Sequence, residues 1–153
     1  MARGWMYKNA MLNLVQHTMG PLGTTTLKIA LLGATYNDEL PDALRTHDAF
    51  SDLSAFEISG TGYTAGGETL TTVVVEEVDT DPLTEIKISA DNVSWAGLTA
   101  EFRFAVIYED TVANKLLLLI DFEDVMLVSN DTFAIEWDTT FGIATIGPVS
   151  MFF

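Results

Sequence analysis

The sequence predicts a mainly β fold: an antiparallel β-sandwich, of jelly-roll or immunoglobulin-like type, behind one N-terminal amphipathic helix. Three observations predict it. Short β-branched and aromatic runs recur along the chain after residue 26, separated by turn residues at the spacing of a sandwich or small barrel. A helical rhythm occurs once, near the start. The 153 residues, 48% of them hydrophobic, can bury one core, and there is no cysteine to staple it. The chain is read as one domain: residues 1–23 as helix and linker, 24–146 as the β-body, and 147–153 as an apolar tail.

The helix is expected over residues 7–19. Met6, Ala10, Met11, Leu14, Val15 and Thr18 share one face. Lys8, Asn9, Asn13, Gln16 and His17 share the other, and Gly20-Pro21 ends the helix. Residues 26–32 (TLKIALL) read as a buried strand. Residues 33–54 read as a long loop packed by Ala43, Leu44, Phe50, Leu53 and Phe56. Residues 57–68 (EISGTGYTAGGE) carry four glycines, which mark turns, with Tyr63 as an anchor. A phosphate cradle there would need a following helix, but the next segment is β-branched.

Further strands are expected over residues 69–78, 84–89, 101–108, 116–122 and 131–138. In the fourth of these, apolar residues on both faces predict a central position. Phe102, Phe104, Val106 and Tyr108 alternate toward the core with Arg103 and Ala105 outward, and Phe133, Ile135 and Trp137 alternate in the same way. Ile143 and Ile146 are expected to continue the sheet. The tail ends in Met151, Phe152 and Phe153. Two placements suit it: docking on the protein's own core, or insertion into a neighbouring subunit.

Charge divides the chain. Residues 1–37 hold Arg3, Lys8 and Lys28 and no acid. All 22 acids follow, against Arg45, Lys87, Arg103 and Lys115, a formal −18. Such a body repels phosphates, so no nucleic-acid partner is expected. The longest aliphatic run is far short of the roughly 20 residues of a membrane span, so no membrane partner is expected either. Polar Asn9, Asn13, Gln16 and His17 interrupt any signal-like core, and synthesis in the cytoplasm is expected.

Chemistry has little foothold. His17 and His47 are the only histidines and lack zinc-site spacing, and no G-x-S-x-G elbow is present. No catalytic residue, cofactor or metal site is assigned, and the chain is not expected to be an enzyme. Asp79, Asp81, Asp91, Asp121, Glu123 and Asp124 could meet Ca²⁺ only if loops converged, since no EF-hand loop exists. Trp95, Tyr108 and Trp137 could form a carbohydrate platform, but Tyr108 and Trp137 lie in register with core positions. A carbohydrate- or Ca-binding adhesion module is therefore the alternative from another functional class.

Residues 57–70 (EISGTGYTAGGETL) resemble a family of small virion structural proteins of tailed bacteriophages. So do residues 28–36 (KIALLGATY) with the following Thr46-His47-Asp48, residues 90–110, residues 116–124 (LLLLIDFED) and residues 130–146. The resemblance spans most of the chain and implies a place in the virion. It implies binding to the major capsid protein or other virion subunits, as a capsid decoration (cement) or minor head protein in multiple copies or as a homo-oligomer, or else as a tail, collar or fibre component. It carries over no catalytic residues. The candidate assembly contacts are Arg3, Trp5, Lys8 and Met11 at the acid-free end, with Met151, Phe152 and Phe153 in the tail. On this reading, deleting residues 1–20 abolishes incorporation without unfolding the sheet.

Overall fold

The computed structural model describes residues 2–80, 83–110, 113–140 and 142–146. The protein is mainly β with antiparallel sheets. In chain order the elements are β1 (Arg3–Met6), α1 (Lys8–Val15), β2 (Leu27–Leu32), α2 (Ala43–Thr46), β3 (Glu68–Thr69), β4 (Val74–Thr80), β5 (Leu83–Ser89), β6 (Val93–Glu109), β7 (Leu116–Ile135) and β8 (Ala144–Ile146). A five-stranded sheet has the order β1-β7-β6-β2-β3, and a three-stranded sheet the order β4-β5-β8.

The large sheet is built on the β6–β7 pair. The run Leu116–Leu119 is buried, in a strand that lies between β1 and β6 in the sheet, as its apolar residues on both faces predict. On β6, Phe102, Phe104 and Tyr108 are buried as the alternation predicts. Ala105, expected outward, is also buried, in a stretch of β6 flanked in the sheet by β2 and β7 (Leu31 and Ile120 opposite it).

Both strands run longer than their sequence signals. Near the middle, residues 122–125 of β7 stand opposite Arg103 alone, between the pairs Phe104–Asp121 and Phe102–Met126. This bulge has Glu123 at φ 69°. Arg103 closes it with a two-pronged bond to Asp121, Nε to Oδ1 and Nη2 to Oδ2, both 2.9 Å. Beyond it, Trp95, Phe102, Phe122 and Phe133 pack together with ring centroids 4.8–5.9 Å apart.

The first correction concerns residues 1–20. Arg3–Met6 is a strand, and it pairs with Asp121–Leu118 on the otherwise open edge of β7. The side chain of Tyr7 is fully buried, and its hydroxyl lies 2.9 Å from that of Tyr36. Removing residues 1–20 therefore takes a strand and a core residue out of the sheet, and the deletion cannot be expected to leave it intact.

The second correction concerns α1, which covers Lys8–Val15 only. Its buried residues are Ala10, from the apolar face, and Asn13, from the polar one; Leu14 is half-buried against the core, while Met11 and Val15 face outward. Asn13 is tolerated inside because its amide is satisfied. Its Nδ2 donates to Asp48 Oδ1 at 2.7 Å, and its Oδ1 accepts from the Thr18 hydroxyl at 2.7 Å.

The glycine-rich segment is a compact loop against β2 and β6. Glu57 Oε1 accepts from the Tyr63 hydroxyl at 2.7 Å and the Gly66 N–H at 2.6 Å, while Tyr63 Oη accepts from the Leu31 N–H at 3.1 Å. Tyr63 is thus the anchor its sequence position suggests. Gly67 has φ +74°, and a Cβ there would stand 1.9 Å from the Ile29 carbonyl oxygen, so only glycine fits.

Candidate docking surface

α1 buries Ala10 from its apolar face together with Asn13, a polar group that ties it down. The Asp48 carboxylate receives Asn13 from α1 and the Lys115 ammonium from the segment before β7. Partial burial pushes the Asp48 carboxyl up, but these donors outweigh it and hold it below the usual carboxylate range. Asp52 is held low by the backbone N–H groups of Ala49 and Asp48, which donate to its Oδ2. The buried Tyr7 hydroxyl is pushed well up by burial, then by its neighbour Tyr36. Burial also pushes Tyr36 up, to about 12, against the lowering effect of the bond to Tyr7. His47 Nδ1 lies 3.1 Å from the Tyr36 hydroxyl, so it takes part in this tether.

With Asn13 turned inward, Lys8, Met11, Leu12 and Val15 form an outward stripe at i, i+3, i+4 and i+7. Val15 is 71% exposed and Met11 43%. The stripe borders an apolar groove of about 350 Å³, lined by Met11, Leu14 and Val15 of α1, by Leu22, and by Val75, Ile86 and Ile88 of the small sheet. Ile88 is fully buried at its base, while Val75 and Ile86 stay exposed along its wall. No side chain lining the groove carries a charge.

The sequence-predicted contacts separate into two places. Lys8 and Met11 share the α1 stripe. Arg3 and Trp5 lie on β1. Arg3 pairs with Glu123 at 2.6 Å, and the half-buried Trp5 lines a cleft with Leu40, Pro41 and Leu44. Met151, Phe152 and Phe153 lie outside the described residues. Sequence reasoning missed Leu12, Leu22, Val75 and Ile86. Val75 was legible only as part of a β-branched run, with nothing to say which face would meet α1.

The alternative sites fare differently. Trp95 and Tyr108 are buried, and Trp137 is half-buried with its indole N–H donating to the Asp91 carbonyl at 2.9 Å, so these three form no exposed platform. Asp121 is engaged by Arg103, and Asp91 by the Thr71 and Thr72 hydroxyls. Among the described residues no three His, Asp or Glu side chains gather as a metal site. No helix among them is long and apolar enough to cross a membrane, which says nothing of a β-barrel. No protein-family model, curated protein or solved structure matches the chain.

Proposed function

We propose that the chain is a structural subunit of a tailed-phage virion, a capsid decoration or minor head protein that binds the major capsid protein in multiple copies. One observation carries the reading: α1 spends its inward face on Asn13 and turns Met11, Leu12 and Val15 outward, continuous with the apolar wall of Val75 and Ile86. Contiguous exposed apolar side chains on an otherwise acidic protein mark an interaction surface. Lys8 at the head of the stripe suits an acidic rim on the partner. The resemblance of residues 57–70, 90–110 and 130–146 to virion structural proteins supplies the setting, in which the protein is made in the host cytoplasm and ends in the particle. No catalysis, cofactor, nucleic acid or membrane is part of the proposal.

The finer fold belongs to the same reading. The two sheets are taken as layers of a sandwich. The cleft where Gly4, Met6, Leu118 and Ile120 of the large sheet meet Ala144 of the smaller one and the preceding Ile143 supports this.

Gel densitometry of purified particles tests the function. Many copies per particle are expected, and Val15→Asp is expected to lower that number strongly while the free protein stays folded. A few copies per particle would move the protein to the tail, collar or a fibre. Absence from particles would overturn the virion reading.

A further inference from the structure

We propose that the open edge of β4 takes up an extended segment of another protein as an added strand, one that sets apolar residues against the β4 valines and basic residues against Glu76 and Glu77. The inference goes beyond the docking reading and does not require the partner to be a capsid protein. The two sheets end on β1, β3, β4 and β8. β1 has four residues, β3 two and β8 three, whereas β4 has seven. Sheet edges commonly avoid pairing by being very short or by carrying Lys or Pro. β4 is long, and its sequence VVEEVDT holds neither.

The direction of the backbone groups shows which of them are open. The Ile88 carbonyl accepts from the Ile143 N–H at 2.7 Å, so Ile88 turns its backbone toward the β8 side of β5. Backbone groups alternate in direction along an antiparallel strand, so Lys87 and Glu85 turn toward β4, opposite Glu76 and Val78. Val75, Glu77 and Asp79 therefore direct their N–H and C=O groups away from β5. Among the described residues no other backbone group bonds to these three. An edge of this kind is the template for strand addition, in which main-chain bonds supply affinity and alternate side chains supply specificity.

The side chains state the specificity. Val75 and Glu77 share one face of β4, and Val74 and Glu76 the other. Val74 and Val75 are 42% and 40% exposed, and apolar neighbours on an added strand would cover them. Glu76 reaches Lys87 at 3.5 Å, while the exposed Glu77 has no ion pair among the described residues. Opposite charges facing each other across strands stabilise the pair, and like charges destabilise it. A second copy centred on the same residues would set glutamates against glutamates, on chains that each carry a formal −15. Charge therefore selects a basic partner strand over a second copy.

Amide hydrogen exchange, followed residue by residue, tests the edge. In the free protein the amides of Val75, Glu77 and Asp79 are expected to exchange faster than those of Glu76 and Val78. Equal exchange would show that the edge is already covered and would overturn the proposal. The capped peptide Thr-Val-Lys-Lys-Val-Val-Thr is expected to slow the three fast amides several-fold. The same peptide N-methylated throughout keeps its charge but has no backbone donor, and is expected to slow none of them. Glu77→Lys should weaken binding of the capped peptide several-fold. Glu101→Lys, with the same change in net charge at an exposed site on β6, should leave binding nearly unchanged. Equal protection by the two peptides, or equal loss in the two variants, would reduce the effect to net-charge attraction and overturn the edge. Failure of the capped peptide to bind, or binding that leaves the three amides unprotected, would overturn it as well. Protection that grows with protein concentration alone would give the edge to a second copy instead of a basic partner. Exchange reads the edge and particle incorporation of Val15→Asp reads the groove, so the two ideas fail separately.

Discussion

The Asn13 side-chain amide donates to the Asp48 carboxylate at 2.7 Å, and through that carboxylate α1 is held to Lys115, just before β7. This bond decides which side of the helix faces the solvent. Asn13→Ala removes the donor from Asp48 and the acceptor from the Thr18 hydroxyl. A lost buried partner costs about 1–3 kcal/mol. Val15→Ala, on the exposed stripe, should stay within about 0.5 kcal/mol of the parent. Urea unfolding of the two variants checks the contrast. Equal effects would mean that α1 is not fixed through Asn13.

The pH dependence follows from the same tether. Asp48 is held low by Lys115 and Asn13 against its partial burial, and Asp121 is held low by Arg103 against its own. A carboxyl with a depressed folded pKa contributes stability that is fully present above its unfolded value, about 3.9, and is lost as pH falls through the folded value. Unfolding midpoints should therefore be nearly flat from neutral pH to about 5 and fall below about 4. Asp121→Asn should be less stable than the parent at neutral pH and should flatten part of the acid slope. A parallel slope in that variant would show that Asp121 contributes none of it.

Much of the fold was legible because alternation and burial coincide. The apolar run at 116–122, the anchor Tyr63 and the inward Phe102 and Phe104 all follow from local pattern. What misled was chemistry with two structural uses. Glu123-Asp124 and Asn130-Asp131 look like turns, yet Glu123 and Asn130 take positive φ inside a continuous β7, where they make bulges. β1 gave no signal because four residues, one of them glycine, are too few to show alternation, and its existence depends on the open edge of β7. The candidate docking surface was half legible. Lys8 and Met11 lie on it, but the outward turn of the stripe depends on Asp48 and Lys115, remote in sequence.

Two neighbouring glycines should respond differently. Gly66 and Gly67 both have positive φ, +88° and +74°. At Gly66 an added Cβ meets only the Tyr108 hydroxyl at 3.4 Å, so Gly66→Ala pays mainly for backbone conformation, about 1 kcal/mol. At Gly67 the same atom runs into the Ile29 carbonyl, so β2 or the loop must shift. Gly67→Ala should cost at least about 3 kcal/mol, combining strain with a displaced strand. Thermal unfolding ranks them, and a Gly66→Ala effect as large as that of Gly67→Ala would contradict the close approach to β2.

Removing residues 2–6 tests whether the N-terminal end is an appendage or part of the sheet. β1 covers the edge of β7 from Leu118 to Asp121, and its Trp5 and Met6 pack half-buried against the core. Losing two partly buried large side chains corresponds to about 2–4 kcal/mol. The uncovered edge would offer unpaired backbone groups to other chains. The truncated protein should therefore unfold at lower urea, exchange the amide hydrogens of residues 118–121 faster, and self-associate at concentrations where the parent stays dispersed. Unchanged exchange at those amides would mean that β1 contributes no protection, and the acid-free end would then be free to act as an attachment arm.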